Sequence, residues 1–322
     1  MKFAFIFPGQ GSQVIGMGRE LADSSSAAKE VFDAVDDALN QKLSTLMWEG
    51  SMEDLTLTEN AQPALMAVSL AIMAALEADH GITVTAASHV AGHSLGEYSA
   101  LAAAGSIGLA DAARLLKRRG QAMQRAVPVG EGTMAALLGA TEEQALALCI
   151  AGKPHGVCAI ANDNAPGQIV ISGATAAIAE AIKLAKAVGV KKGVLLPVSA
   201  PFHCEMMQPA ADEMEEALSQ VQIKTPRVPL VANVTAEPTI NPQAIRRQLV
   251  EQITGRVRWR ESITCLAEAG VDTFVEIGSG KVLTQMVRRI TDKATGIAVN
   301  SVDSLESFAA LLKSETEMKA QA

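Results

Sequence analysis

The chain has 322 residues, of which 49% are hydrophobic, 19% charged and only 3% aromatic, with a net charge of −8. That length supports a large core in one or two domains, and an alanine-rich, aromatic-poor composition suits helices packed closely on a sheet. The acidic balance argues against nucleic acid as a partner, and the basic clusters Lys117-Arg118-Arg119 and Arg288-Arg289 read as solvated helix faces.

From the N-terminus, Lys2 to Phe7 reads as a buried strand that turns at Pro8-Gly9, too short an apolar run for a signal segment. Helical patterns follow at 27–40 and 60–78. The longest apolar stretch, 64–76, falls short of a membrane span and contains Ser69. A strand at 88–91 leads into Gly92-His93-Ser94-Leu95-Gly96 and an alanine-rich helix, and another helix covers 109–126. Strands alternating with helices predict a parallel sheet covered on both faces. The segment 127–132 is a linker, after which the order becomes strand (133–138), helix (142–149), strand (157–161), strand (168–172), helix (175–188), strand (193–197). That βαββαβ order is the ferredoxin-like unit. The α/β rhythm then returns, with strands at 230–232 and 273–276 and helices at 259–269 and 282–290. The expected organisation is a large domain from residues 1–129 and 198–322, a small inserted domain at 130–197, and a disordered tail at 313–322.

Cysteines stand at 149, 158, 204 and 265, with no C-x-x-C among them. A zinc site or a disulfide framework is therefore not expected, and free thiols suit a cytoplasmic location. Two glycine-rich fragments fail as nucleotide loops. Gly9-Gln10-Gly11 has Val14 where a dinucleotide fingerprint needs a small residue, and Gly278-Ser279-Gly280-Lys281 has Val282 where a phosphate loop needs Ser or Thr.

The pattern G-x-S-x-G between a strand and a helix is a nucleophile elbow, which points to acyl transfer through Ser94. Glycines flank the serine because the turn is too sharp for side chains, and the new helix aims its N-terminus at the site of charge development. A serine hydroxyl needs a base. Of the five histidines, His93 lies inside the elbow pointing away, His89 on the strand, His80 at a helix end and His155 in an exposed loop. His203 closes Val198-Ser199-Ala200-Pro201-Phe202-His203, where the chain re-enters the core from the small domain, and is preferred as base over a purely structural histidine. Cys204 is a rival nucleophile with nothing local to lower its thiol pKa.

Taken together, Phe7-Pro8-Gly9-Gln10-Gly11-Ser12-Gln13, Asn60-Ala61-Gln62-Pro63-Ala64, Gly92 to Glu97, Arg119-Gly120-Gln121-Ala122-Met123, Asn164-Ala165-Pro166-Gly167-Gln168, Pro197 to His203 and Glu276 to Leu283 closely resemble the malonyl-CoA:acyl carrier protein transacylase family. These acyltransferases load fatty-acid and polyketide synthases. The resemblance implies an α/β-hydrolase-like large domain carrying the ferredoxin-like insert. It implies Ser94 as nucleophile, His203 as base and the backbone amides of Gln10 and Leu95 as oxyanion hole. Arg119 would bind the malonyl carboxylate, although its charged neighbours alone suggest an exposed helix residue. The backbone carbonyl of Gln252 would orient His203, Gln62 and Asn164 would line or support the site, and Phe202 would narrow it against a branched acyl group. Malonyl-CoA is then substrate rather than cofactor, no other cofactor is expected, and acyl carrier protein is the partner. A serine thioesterase of the same fold and a non-catalytic carrier-binding module are the competing classes. The thioesterase is disfavoured because His203 is mid-chain and no acid stands out between it and Ser94.

Overall fold

In the computed structural model, which describes residues 1–321, the first strand, β1 (Phe3–Phe7), has all five residues buried. Its side chains alternate between two cores. Phe3, Phe5 and Phe7 enter the larger one, and Ala4 and Ile6 face the other. The remaining strands are β2 (His89–Gly92), β3 (Gly132–Leu138), β4 (Cys158–Ala165), β5 (Gln168–Ala174), β6 (Lys192–Leu195), β7 (Leu230–Val231), β8 (Pro238–Thr239), β9 (Thr273–Ile277) and β10 (Thr295–Val299). They form a six-stranded sheet in the order β10-β9-β1-β2-β7-β8, parallel except for the short β7–β8 pair, and a four-stranded antiparallel sheet in the order β4-β5-β3-β6.

On one face of the large sheet lies the helix Thr58–His80, flanked by Ser26–Leu39 and Leu109–Arg125, and on the other lie Trp259–Glu268 and Val282–Ile290. The 23-residue helix Thr58–His80 is longer than its apolar pattern suggests. It is long and apolar enough to cross a membrane, but 83% of its most apolar window is buried inside the fold. The buried Ser69 hydroxyl donates to the Ile277 carbonyl at 2.9 Å, which ties this helix to β9.

In the small sheet the strand order matches the expected ferredoxin-like topology. One face carries the helices Glu142–Gly152 and Thr175–Leu184 on Ala135, Leu137, Ile169 and Ile171. Met134 and Val170 point the other way, into the large core, so the small sheet forms a wall over the end of β2. An ion-pair cluster fastens that wall. Buried Asp163 on β4 takes Arg256 at 2.8 Å and Arg260 at 2.6 Å, and Glu142 pairs with the same two arginines.

One expectation is corrected. The tail read as disordered continues the helix Val302–Gln321, with only Ala322 outside the described residues. Phe308 packs edge-on against Phe3 and Phe5, and the N-terminal amine meets Glu315 at 2.9 Å. No glycine or proline interrupts the helix after these anchors, so it propagates through good helix formers.

Candidate active site

The elbow follows from steric necessity at the end of β2. A Cβ on Gly92 would lie 1.9 Å from the Gly96 carbonyl oxygen, and one on Gly96 would lie 2.3 Å from that of Phe7. Only glycine fits either position. Ser94 between them sits at φ 53°, in the left-handed region that non-glycine residues occupy at a cost, and the helix Gly96–Ala103 starts directly behind it. Asn233, just after β7, holds the turn from beneath. Its Oδ1 accepts from the Ser94 N–H at 2.8 Å and its Nδ2 donates to the Gly92 carbonyl at 2.7 Å.

Ser94 Oγ lies 2.9 Å from His203 Nε2, and His203 Nδ1 lies 2.8 Å from the Gln252 main-chain carbonyl oxygen. A carbonyl can only accept, so Nδ1 carries the proton and Nε2 is left to accept from the serine. His203 is also left-handed, at φ 59°, and only 4% exposed. Burial, reinforced by the nearby Arg119 charge and partly offset by the Gln252 carbonyl, drives its pKa down to about 3. The imidazole is therefore neutral, ready to take a proton, throughout the near-neutral range.

Arg119 is not on the solvated face that its neighbours suggest. It is 1% exposed, whereas Lys117 bonds Gln41 and Asn60, and Arg118 bonds Glu213 and Glu216. Its Nη1 donates to Gln62 Oε1 at 2.7 Å, and its Nη2 to Gln252 Oε1 at 2.8 Å and to Ser94 Oγ at 3.1 Å. The guanidinium also lies 5.8 Å from the centre of the Tyr98 ring. All of these partners are neutral. A buried cation held beside Ser94 without a bonded carboxylate is able to receive an anion.

The cavity above Ser94 measures about 360 Å³. Gln10, Gln62, Leu95, Asn164 and Phe202 all line it with the serine, the histidine and the arginine, and its remaining wall is largely apolar, from Met134, Val170, Val282 and Met286. Among the described hydrogen bonds the N–H groups of Gln10 and Leu95 have no protein acceptor, which leaves both able to serve an oxyanion. Asn164 Oδ1 bonds His93 Nε2 at 2.8 Å, with the His93 ring edge-on to Trp259, so His93 is committed to the wall and has no described side-chain hydrogen bond to Ser94. Cys204 is buried, its thiol pKa pushed up and its Sγ on the Pro201 carbonyl. Among the described hydrogen bonds no carboxylate reaches His203: Asp163 pairs with Arg256 and Arg260, and Asp212 accepts from Gln208.

Two residues of the site have no warning in local pattern. Asn233 follows a two-residue strand, and its role exists only because β7 lies beside β2. Glu97, though inside the elbow motif, reads as a first-turn acid of a helix, yet it is fully buried beneath the site.

A serine hydrogen-bonded to a neutral histidine, with unbonded amides and a buried cation beside it, is an arrangement able to carry out acyl transfer. The chain belongs to the acyl transferase domain family, whose model matches residues 4–313. It is 45% identical to the malonyl CoA-acyl carrier protein transacylase of Bacillus subtilis over 98% of this chain and 99% of that one. Among solved structures, the acyl-carrier-protein-S-malonyltransferase of Bartonella henselae superposes with a TM-score of 0.95 at 52% identity, covering 97% of this chain and 100% of that one. A malonyl-transacylase solved in complex with a type II PKS acyl-carrier protein superposes at 0.92 with 39% identity, covering 95% and 98%.

Proposed function

We infer that this chain moves a malonyl group from malonyl-CoA to the phosphopantetheine thiol of acyl carrier protein, through a malonyl ester on Ser94. His203 Nε2 takes the Ser94 proton as Oγ attacks the thioester carbonyl, and the Gln252 carbonyl steadies the imidazolium that forms. The Gln10 and Leu95 amides face the developing oxyanion. His203 then returns the proton to the departing CoA thiolate. In the second half-reaction it deprotonates the carrier thiol, whose sulfur attacks the ester carbonyl, and it returns that proton to Ser94 Oγ as the ester C–O bond breaks. The reading needs no cofactor beyond the thioester and places the enzyme in the cytoplasm, supplying fatty-acid synthesis.

The observation that carries it is Arg119, buried 3.1 Å from the nucleophile with only neutral hydrogen-bond partners. A thioesterase for simple acyl groups has no use for such a charge. Mixing the protein with malonyl-CoA and recording intact mass tests the reading. A malonyl adduct on Ser94 that persists until holo-carrier protein is added supports transfer. Rapid release of free malonate would replace transfer with hydrolysis.

Phe202, beside His203 and 8% exposed, lines the same cavity. Phe202→Ser should open room for an α-methyl branch and raise the methylmalonyl-to-malonyl loading ratio by roughly tenfold or more, tenfold being the low end of what one methyl group is worth in a close pocket. An unchanged ratio in competition loading would show that the ring does not limit branching.

A further inference from the structure

Glu97 is a buried acid directly beneath the site to which the transfer chemistry assigns no task. Its Oε2 accepts from the Asn233 main-chain N–H at 3.0 Å and from Gln252 Nε2 at 2.8 Å, and its Oε1 has no hydrogen-bond partner. Gln252, fully buried, commits its other polar groups to the catalytic machinery. Nε2 also reaches the Ser94 carbonyl at 3.0 Å, Oε1 accepts from Arg119 and the main-chain carbonyl accepts from His203. A carboxylate only accepts and a guanidinium only donates, so the Gln252 amide is oriented from both ends. Glu97 and Arg119 are thus opposite charges joined across one amide.

We propose that Glu97 is a positioning residue that, through the Gln252 amide, acts as the resting counter-ion of Arg119 and so sets how strongly the arginine holds the substrate's carboxylate. The proposal rests on Arg119 being the partner of that carboxylate. When a malonyl carboxylate docks, two anions share one buried cation. Each therefore weakens the other, and by linkage malonyl binding favours proton uptake by Glu97. Burial lifts the Glu97 carboxyl to about 7 against the opposing pull of Asn233, Gln252 and Arg119, so its charge changes within the working range. The other titratable groups facing this pair do not change charge there. Tyr98, on the same helix, is pushed above its usual range by burial, Arg119 remains a guanidinium, and His203 beyond it is neutral.

The test is kcat and KM with malonyl-CoA and acetyl-CoA, from about pH 6 to 9, a span that brackets the Glu97 titration. In the wild-type enzyme the malonyl KM should rise as pH climbs through about 7, while the acetyl KM should not follow. The CoA phosphates are common to both substrates and cancel. Glu97→Gln keeps an acceptor oxygen for Asn233 and Gln252 but removes the charge. It should raise the malonyl-to-acetyl ratio of kcat/KM by about fivefold or more above neutrality and flatten its pH dependence, the low end of coupling between linked sites. Glu97→Ala, with no acceptor left, should lower kcat for both substrates. A wild-type ratio that is flat with pH, or a Gln variant that shifts both substrates in parallel, would overturn the proposal, and the wild-type profile decides even if a variant does not fold. Arg119→Ala run alongside separates the two levels. A parallel fall of both substrates removes the carboxylate reading itself, whereas a malonyl-selective loss with a flat wild-type profile removes only the role of Glu97.

Discussion

Ser94→Ala should form no malonyl adduct and should lose several orders of magnitude in transfer rate while keeping its fold. Losing the nucleophile of such a pair removes the chemical step itself, and what remains is binding and oxyanion stabilisation. The fold should survive because Ser94 is held by its backbone: its N–H binds Asn233, and its left-handed conformation follows from the glycines at 92 and 96. Alanine in that conformation pays the same cost of roughly 1–2 kcal/mol that serine already pays. The side-chain oxygen gives up one contact to Arg119 Nη2 and one to His203, both of which face the cavity and can take water instead. Intact mass after incubation with malonyl-CoA, with a melting curve on the same sample, checks both halves. An adduct of the same mass on the variant would mean that another residue carries the acyl group.

What the sequence made legible is what short-range geometry dictates. The elbow could be read because strand, serine and helix start lie within a few residues, and the atom that excludes a side chain at Gly92 is the Gly96 carbonyl oxygen four residues on, although Gly96 itself is confined by the distant Phe7 carbonyl. The small sheet could be read because two strand-helix units separated by a turn leave few ways to pair. The helix Pro242–Thr254, which carries Gln252, was also within reach: Asn241 caps it by accepting from Gln243 and Ala244, and Pro242 opens its first turn. Less accessible was β10, a short edge strand. A Cβ on its Gly296 would lie 2.6 Å from Thr284 Cγ2, a contact known only once the helix Val282–Ile290 is in place.

Arg119 shows most clearly why part of the site was hidden. Its neighbours in sequence are charged, and helical periodicity alone places it among them. A Cβ on Gly120 would lie 2.5 Å from the Glu59 Cα, so the helices Leu109–Arg125 and Thr58–His80 approach closely at this point. That contact turns Arg119 inward toward Gln62, one turn along the facing helix. The determining glycine is in the sequence, but the backbone it touches is about 60 residues away, so only the family resemblance could assign the role in advance. Asn233 and Glu97 are hidden for the same reason, since their partners come from β2, β7 and the helix Pro242–Thr254 together.

Arg119→Ala should lower single-turnover malonylation of Ser94 by about two orders of magnitude or more, the loss of a charge-assisted pair worth about 3 kcal/mol. A malonyl carboxylate entering this cavity leaves water for a largely apolar wall, and without a bonded cation that transfer is costly. Arg119 offers a planar pair of donors already fixed by Gln62 and Gln252, so little ordering remains to be done on binding. Acetyl-CoA carries no carboxylate, and its loading should be spared or raised relative to malonyl. The comparison also controls for structure, because removing the guanidinium frees the Oε1 atoms of Gln62 and Gln252, and any loosening of Gln252 would reach His203 through its carbonyl. Such damage would strike both thioesters alike. Arg119→Lys should recover only part of the malonyl rate, since a single ammonium cannot span both carboxylate oxygens while holding Gln62 and Gln252 in place. Parallel losses for malonyl and acetyl would make Arg119 a brace for Gln252 and the elbow, and the preference for a free carboxylate would then have to come from another wall of the cavity.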